Sequence, residues 1–157
     1  MIPFLNLKEI NKKYRSELIE EFVNFLDSGW YILGDRVKQF ESEFAEFCEV
    51  KHCIGVANGL DALVLIIRAY KELGRLKDGD EVIVPANTYI ASILAITENG
   101  LTPVLVEPDS ATYILDENKV EASVTSKTRA ILAVHLYGQL CNMTSINALA
   151  KKYDLIV

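Results

Sequence analysis

The chain has few of the residues that build metal centres and disulfide frameworks. Its 157 residues include three cysteines, Cys48, Cys53 and Cys141, and two histidines, His52 and His135. Three is an odd number, and no pair has CxxC or metal-ligand spacing, so no metal site is expected and a reducing compartment suits the pattern. Basic residues are outnumbered, with 16 Lys and Arg against 22 Asp and Glu and a net charge of −6. That balance argues against nucleic acid as a partner and leaves room for a locally positive pocket. No apolar run approaches the roughly 20 residues a bilayer span needs. Met1-Ile2-Pro3-Phe4 shows no basic region followed by an apolar stretch, so no secretory leader is expected. A cytoplasmic protein with no membrane partner is the expectation. Neither GxGxxG nor GxxxxGK[ST] occurs, which sets aside dinucleotide and P-loop chemistry. Internal repeats, low-complexity tracts and interdomain linkers are also missing.

Half of the residues are hydrophobic, enough for a real core in a domain of ordinary size. Residues 1–7 read as extended. Ile10, Tyr14, Leu18, Phe22, Phe25 and Leu26 then recur at helical spacing, predicting one helix that stops near Ser28-Gly29. Trp30-Tyr31-Ile32-Leu33 is an apolar, aromatic loop between glycines, either packed under something or part of a binding surface. Asp35 opens a second amphipathic helix with Val37, Phe40, Phe44 and Phe47 as its stripe. Two such helices ahead of the first strand need an apolar surface to lie on.

From Cys53 the rhythm changes to short apolar strands alternating with helices. Strands are predicted over 53–57, 81–85, 103–107 and 129–134, with another beginning at Leu155-Ile156-Val157, where the sequence stops. Helices are predicted over 60–73, from Asn87-Thr88-Tyr89 to Gly100, over 117–124, and around Ile146, Leu149, Ala150 and Tyr153. Residues 62–67 are apolar almost all round, so that helix is expected to be buried on most sides. In the helix ending at Gly100, Ile90, Ile93, Leu94 and Thr97 are expected on one side. The alternation predicts an α/β fold, a mostly parallel sheet flanked by helices on both faces. Ligands in such sheets collect at the carboxyl ends of the strands.

Three clusters fall at those ends. Ala57-Asn58-Gly59-Leu60-Asp61 makes a tight turn into a helix, whose free N–H groups and dipole suit a phosphate. The same residues also read as a capped helix start, with Asn58 as N-cap and Asp61 three residues on, and Asp61 adds a negative charge there. Asn87-Thr88-Tyr89 is the second cluster, and Tyr89 by itself reads as a core residue at a helix start. His135-Leu136-Tyr137-Gly138 is the third, and a histidine at a strand end is commonly a structural hydrogen-bonder.

Four motifs in order carry a family resemblance: Gly29-Trp30-Tyr31-Ile32-Leu33-Gly34, Ala57-Asn58-Gly59-Leu60-Asp61-Ala62-Leu63, Pro85-Ala86-Asn87-Thr88-Tyr89-Ile90-Ala91, and Val134-His135-Leu136-Tyr137-Gly138-Gln139. Across its whole length the chain resembles the N-terminal part of the DegT/DnrJ/EryC1/StrS sugar aminotransferases. These are pyridoxal 5'-phosphate (PLP) enzymes of fold type I, and the nearest likeness is to those that aminate a dTDP-linked 3-keto-6-deoxyhexose. The resemblance implies that residues 1–50 are an N-terminal helical segment and 51–157 the first, incomplete part of the PLP-binding α/β domain. It implies that the backbone N–H groups of Gly59, Leu60 and Asp61 hold the cofactor phosphate and that Tyr89 stacks on the pyridine ring. Many relatives have Ser or Thr where Leu60 stands, so here the backbone acts without a hydroxyl. Trp30 and Tyr31 match a loop near the active site, often across a dimer interface, and His135 and Tyr137 lie on the same side without an assigned role.

The resemblance further implies a nucleotide-linked keto-sugar as substrate, glutamate as amino donor, and a homodimer. It places a Schiff-base lysine and an Asp-x-x-Gln motif beyond the strand begun at Leu155. Lys51, Lys71, Lys77, Lys127, Lys151 and Lys152 read as solvated charges. No catalytic residue is therefore assigned within the chain, which is expected not to transaminate alone. Two alternatives stand beside the aminotransferase: a PLP-dependent sugar dehydratase of the same fold, and a non-catalytic truncated remnant.

Overall fold

A computed structural model describes residues 3–157. They form two compact units, one ending at Gly55 and one spanning Val56–Val157.

The first unit is helical. Of the extended start expected over 1–7, residues 1 and 2 lie outside those described, and α1 (Leu7–Lys12) begins where Asn6 accepts a hydrogen bond from the Glu9 N–H. The single first helix expected from periodicity is two, α1 and α2 (Arg15–Ser28). At the break the amides of Lys13 and Tyr14 donate to the carbonyls three residues back, and Tyr14 leaves helical values at φ −110°, ψ 8°. Gly29 ends α2 in the left-handed region, as its lack of a Cβ allows. In the loop that follows, Trp30 Nε1 donates to the Ile32 carbonyl at 2.7 Å and the Tyr31 hydroxyl to the Leu26 carbonyl at 3.1 Å. The helix α3 (Asp35–Phe47) comes next. Its aromatic stripe is stacked within itself, Phe40 on Phe44 at 5.5 Å, and is open to solvent, with Phe47 83% exposed.

The second unit carries the sheet. Strands β1 (Glu81–Pro85), β2 (Thr102–Val106) and β3 (Thr128–Ile131) lie in the order β2-β1-β3, all parallel. Ile156 extends the β3 side through one parallel bridge, its N–H donating to the Arg129 carbonyl at 2.9 Å. The helices are α4 (Gly59–Glu72), α5 (Ile90–Glu98), α6 (Glu117–Ala122) and α7 (Met143–Tyr153). Successive strand residues point to opposite faces. Val82, Val84 and Ala130 pack with Ile67 of α4 and with Ala95 and Ile96 of α5. Ile83, Val106 and Ile131 pack with Val120 of α6 and Ile146 of α7. The sheet is thus covered on both faces, as the sequence predicts.

Three local expectations are corrected. Residues 53–57 form no strand, because no described strand pairs with them, and Ile54 is 79% exposed. Helix α4 buries one stripe, Leu60, Leu63, Val64 and Ile67 at i, i+3, i+4 and i+7, while Leu65 and Ile66 face solvent. Helix α5 turns Ser92, Ala95, Ile96 and Asn99 inward, and Ile90 and Leu94 are exposed. Small and hydrogen-bonded groups fit this close contact: the Asn99 amide donates to the carbonyls of Val64 on α4 and Ala95 on α5. Among the described residues no helix is long and apolar enough to cross a membrane.

Candidate cofactor site

The start of α4, the turn after β1 and the segment after β3 converge on one open cleft of about 670 Å³. Asn58, Gly59 and Leu60 line it from α4, Thr88 and Tyr89 from the turn, and Val134 and Leu136 from the third segment. Its wall is mainly apolar, and no charged side chain lines it.

Local sequence explains the cradle. Asn58 caps α4: its Oδ1 accepts from the Asp61 N–H at 3.0 Å, and its carbonyl accepts from the Ala62 N–H at 3.0 Å. Its amide also donates to the Asp61 carboxylate at 3.0 Å, which turns that charge toward the cap. Among the described residues the N–H groups of Gly59 and Leu60 meet no acceptor, whereas that of Asp61 is taken. The two free groups stand at the positive end of a 14-residue helix. Space above Gly59 is open, since a Cβ built there meets nothing within 4 Å.

Tyr89 is not a core residue. It precedes α5 in extended conformation and is 78% exposed. Its neighbours hold the turn: the Ala86 N–H donates to the Val106 carbonyl at 2.8 Å, and the Thr88 and Ser92 hydroxyls share a hydrogen bond at 2.9 Å.

The structure thus brings Gly59, Leu60 and Tyr89 together and separates the other candidates. Asp61 is tied back to Asn58 and does not line the cleft. His135 faces a different, apolar cavity with Tyr70 and Met143, and its Nδ1 accepts from the Cys141 N–H at 3.2 Å. Tyr137 sits at φ 55° in a 3-10 turn (Leu136–Gly138), is 97% exposed and lines neither cavity. Trp30 borders a cleft of the first unit with Asn24, Arg36 and Lys38, and Tyr31 packs its ring on Phe25 at 5.1 Å. Sequence reading missed Val134 and Leu136 as wall residues. Strand alternation does not signal them, because the Leu136 N–H donates to the Val134 carbonyl at 3.0 Å and closes a tight turn about His135.

The sequence profile of the DegT/DnrJ/EryC1/StrS aminotransferase family matches residues 12–157. The chain belongs to that family. As a DegT/DnrJ/EryC1/StrS protein it is 62% identical, over all of its 157 residues, to a dTDP-3-amino-3,6-dideoxy-alpha-D-galactopyranose transaminase of Aneurinibacillus thermoaerophilus. It spans only 42% of that relative's length. Among solved structures it superposes on Streptomyces venezuelae DesV, described in complex with a ketimine intermediate, at a TM-score of 0.90 and 46% identity. That match covers 99% of this chain and 41% of the other. It also superposes on an E coli GDP-4-keto-6-deoxy-D-mannose-3-dehydratase with bound hydrated PLP, at 0.82 and 33% identity, covering 88% and 36%. The parallel sheet with helices on both faces is accordingly part of the type I PLP-transferase fold.

Proposed function

We propose that these residues form one wall of the cofactor site in a PLP-dependent aminotransferase of nucleotide-sugar biosynthesis. The reaction proposed moves an amino group from glutamate to a dTDP-linked keto-6-deoxyhexose. One observation carries the reading: two unpaired N–H groups at the start of α4 and the exposed ring of Tyr89 line one apolar cleft. The 62% identity to a dTDP-sugar transaminase supports the substrate class.

The donor set fits the cofactor. A phosphate at the α4 start would meet the Gly59 and Leu60 N–H groups and the helix dipole, and the Asp61 carboxylate there is engaged by the Asn58 amide. The face of Tyr89 offers an aromatic ring a planar partner. Leu60 and Leu63 give this wall its apolar surface. Bound PLP supplies an electron sink for charge developing at the amino-bearing carbon. No lysine or carboxylate lines the cleft, so the residues described bind and orient, and the groups that carry protons are assigned outside them. The 157-residue chain by itself is proposed to be inactive. A homodimer and a cytoplasmic location complete the proposal. Three cysteines without a disulfide suit that compartment.

The test uses the full-length protein that carries this chain. It is expected to take up PLP and to convert glutamate and a dTDP-3-keto-6-deoxyhexose to 2-oxoglutarate and the aminosugar, followed by mass spectrometry of the sugar. Loss of water from the sugar without gain of nitrogen would select the dehydratase. Steady turnover by residues 1–157 alone would refute the assignment of the proton-carrying groups.

A further inference from the structure

The turn bearing Tyr89 is tied to a loop that no motif singled out. Asn87 Nδ2 donates to the Tyr113 carbonyl at 2.9 Å, joining residues 26 apart in sequence. Tyr113 stands at φ 61°, in the left-handed region, so its carbonyl direction is set by a conformation that a tyrosine rarely adopts. The loop around it holds itself rigid. The Asp109 carboxylate accepts from the Ala111 N–H at 3.0 Å, from the Thr112 N–H at 2.8 Å and from the Thr112 hydroxyl at 2.9 Å. The Asp109 and Tyr113 backbones close it further, Asp109 N–H to the Ile114 carbonyl and Tyr113 N–H to the Asp109 carbonyl, both at 2.9 Å. Beneath it Leu115 is fully buried against the sheet.

We propose that Asn87 is a positioning residue for Tyr89, acting as a strut between the Tyr89 turn and the Asp109-pinned loop. The inference rests on the reading of Tyr89 as a cofactor-facing ring. The logic is one of preorganisation. Tyr89 is 78% exposed, so little packing fixes its ring and its place depends on the backbone of the turn. Ala86 is tied to β2, Thr88 to the Pro85 carbonyl and the Ser92 hydroxyl, and the Tyr89 carbonyl to the Ser92 N–H, while the Asn87 side chain is the tie that reaches the Asp109 loop. Without it, the ring samples more positions and binding must restrict them.

The experiment uses the full-length protein with Asn87→Ala, Asp109→Ala and Asp109→Asn. Two quantities are read: the PLP dissociation constant, and hydrogen exchange at the amides of 87–92 without PLP. N87A is expected to weaken PLP about tenfold, the scale of one lost hydrogen bond, and to speed exchange over 87–92. D109A should shift both readings in the same direction. D109N keeps an acceptor oxygen and should stay near wild type. A bond that is merely structural would lower the melting temperature and leave PLP affinity unchanged, and that result overturns the proposal. If wild type binds no PLP, the cofactor reading fails, and the exchange rates alone decide whether the strut exists. If N87A does not fold, D109A, altered in an exposed loop, decides in its place.

Discussion

Two exposed tyrosines show what single residues can and cannot tell. Tyr89 and Tyr137 both follow a strand and both stand in family motifs, yet only Tyr89 lines the cleft with the α4 start. Because Tyr89 packs on so little, Tyr89→Ala is expected to change thermal stability by no more than about 0.5 kcal/mol. The same change should weaken PLP binding in the full-length protein at least as much as N87A does. Calorimetry and a PLP titration on one preparation check both halves. Asn58 behaves oppositely. It supplies the cap, so Asn58→Ala is expected to cost about 1 kcal/mol in a denaturant melt. Asp109 offers a test by pH. The Thr112 N–H holds its carboxyl below the ordinary aspartate value, helped by the Thr112 hydroxyl, the Ala111 N–H and the nearby charge of Lys119. A depressed folded value means that the contribution is present above the unfolded value and is lost as pH falls through the folded one. The amides of Ala111 and Thr112 should therefore stay protected through mild acid and open only below the usual aspartate range. An NMR titration placing the Asp109 midpoint at or above the value of a free aspartate would contradict this.

At the scale of elements, what was legible followed from what the local pattern depends on. β1 holds the apolar run Val82-Ile83-Val84 and β3 ends on Ala130-Ile131, short of the 134 expected, and the doubly covered sheet could be read from these residues because they feed both faces. α4 starts where Asn58 caps it, and α7 covers the run that carries Ile146, Leu149, Ala150 and Tyr153. The strand expected over 53–57 is absent, since a strand exists by pairing and composition does not supply the partner. The inward face of α5 was misread for a related reason. Apolar count pointed to Ile90 and Leu94, but contact with α4 selects Ala95 and the hydrogen-bonded Asn99 instead. The core makes this measurable. Ile96 is fully buried where α5 meets the sheet, so Ile96→Ala is expected to cost 2–5 kcal/mol, about the usual range for such truncations. Leu94→Ala, on the exposed side, should cost under about 1 kcal/mol. Equal costs in urea melts would mean that the face assignment is wrong. α6 and α7 are held differently, by the Glu121 carboxylate accepting from Lys152 at 2.6 Å and from the Tyr153 hydroxyl at 2.9 Å. That bond holds Glu121 below its ordinary value, and the same partner raises Lys152.

For the whole molecule, the two units differ in how they satisfy their apolar residues. The second buries a continuous core on both faces of its sheet. The first has only Gly34 and Ala45 buried among its described residues, while Phe22, Phe40, Phe44 and Phe47 are open to solvent. Helical periodicity made those stripes legible, but what covers them is not a local property. Exposed stripes of this kind drive association. The sheet adds a second cause, because β2 is an edge with one paired side and an exposed Leu105. The 157-residue polypeptide is therefore expected to self-associate in a concentration-dependent way in sedimentation velocity. The two causes separate by mutation. Phe40→Ser with Phe47→Ser touches only exposed positions of α3, so far-UV circular dichroism should stay unchanged while the oligomers dissociate. If the double variant associates as before and Leu105→Lys disperses it, the sheet edge is responsible and the helical stripe is not. A single sharp boundary for the unaltered chain, at every concentration, would mean that neither face needs a partner.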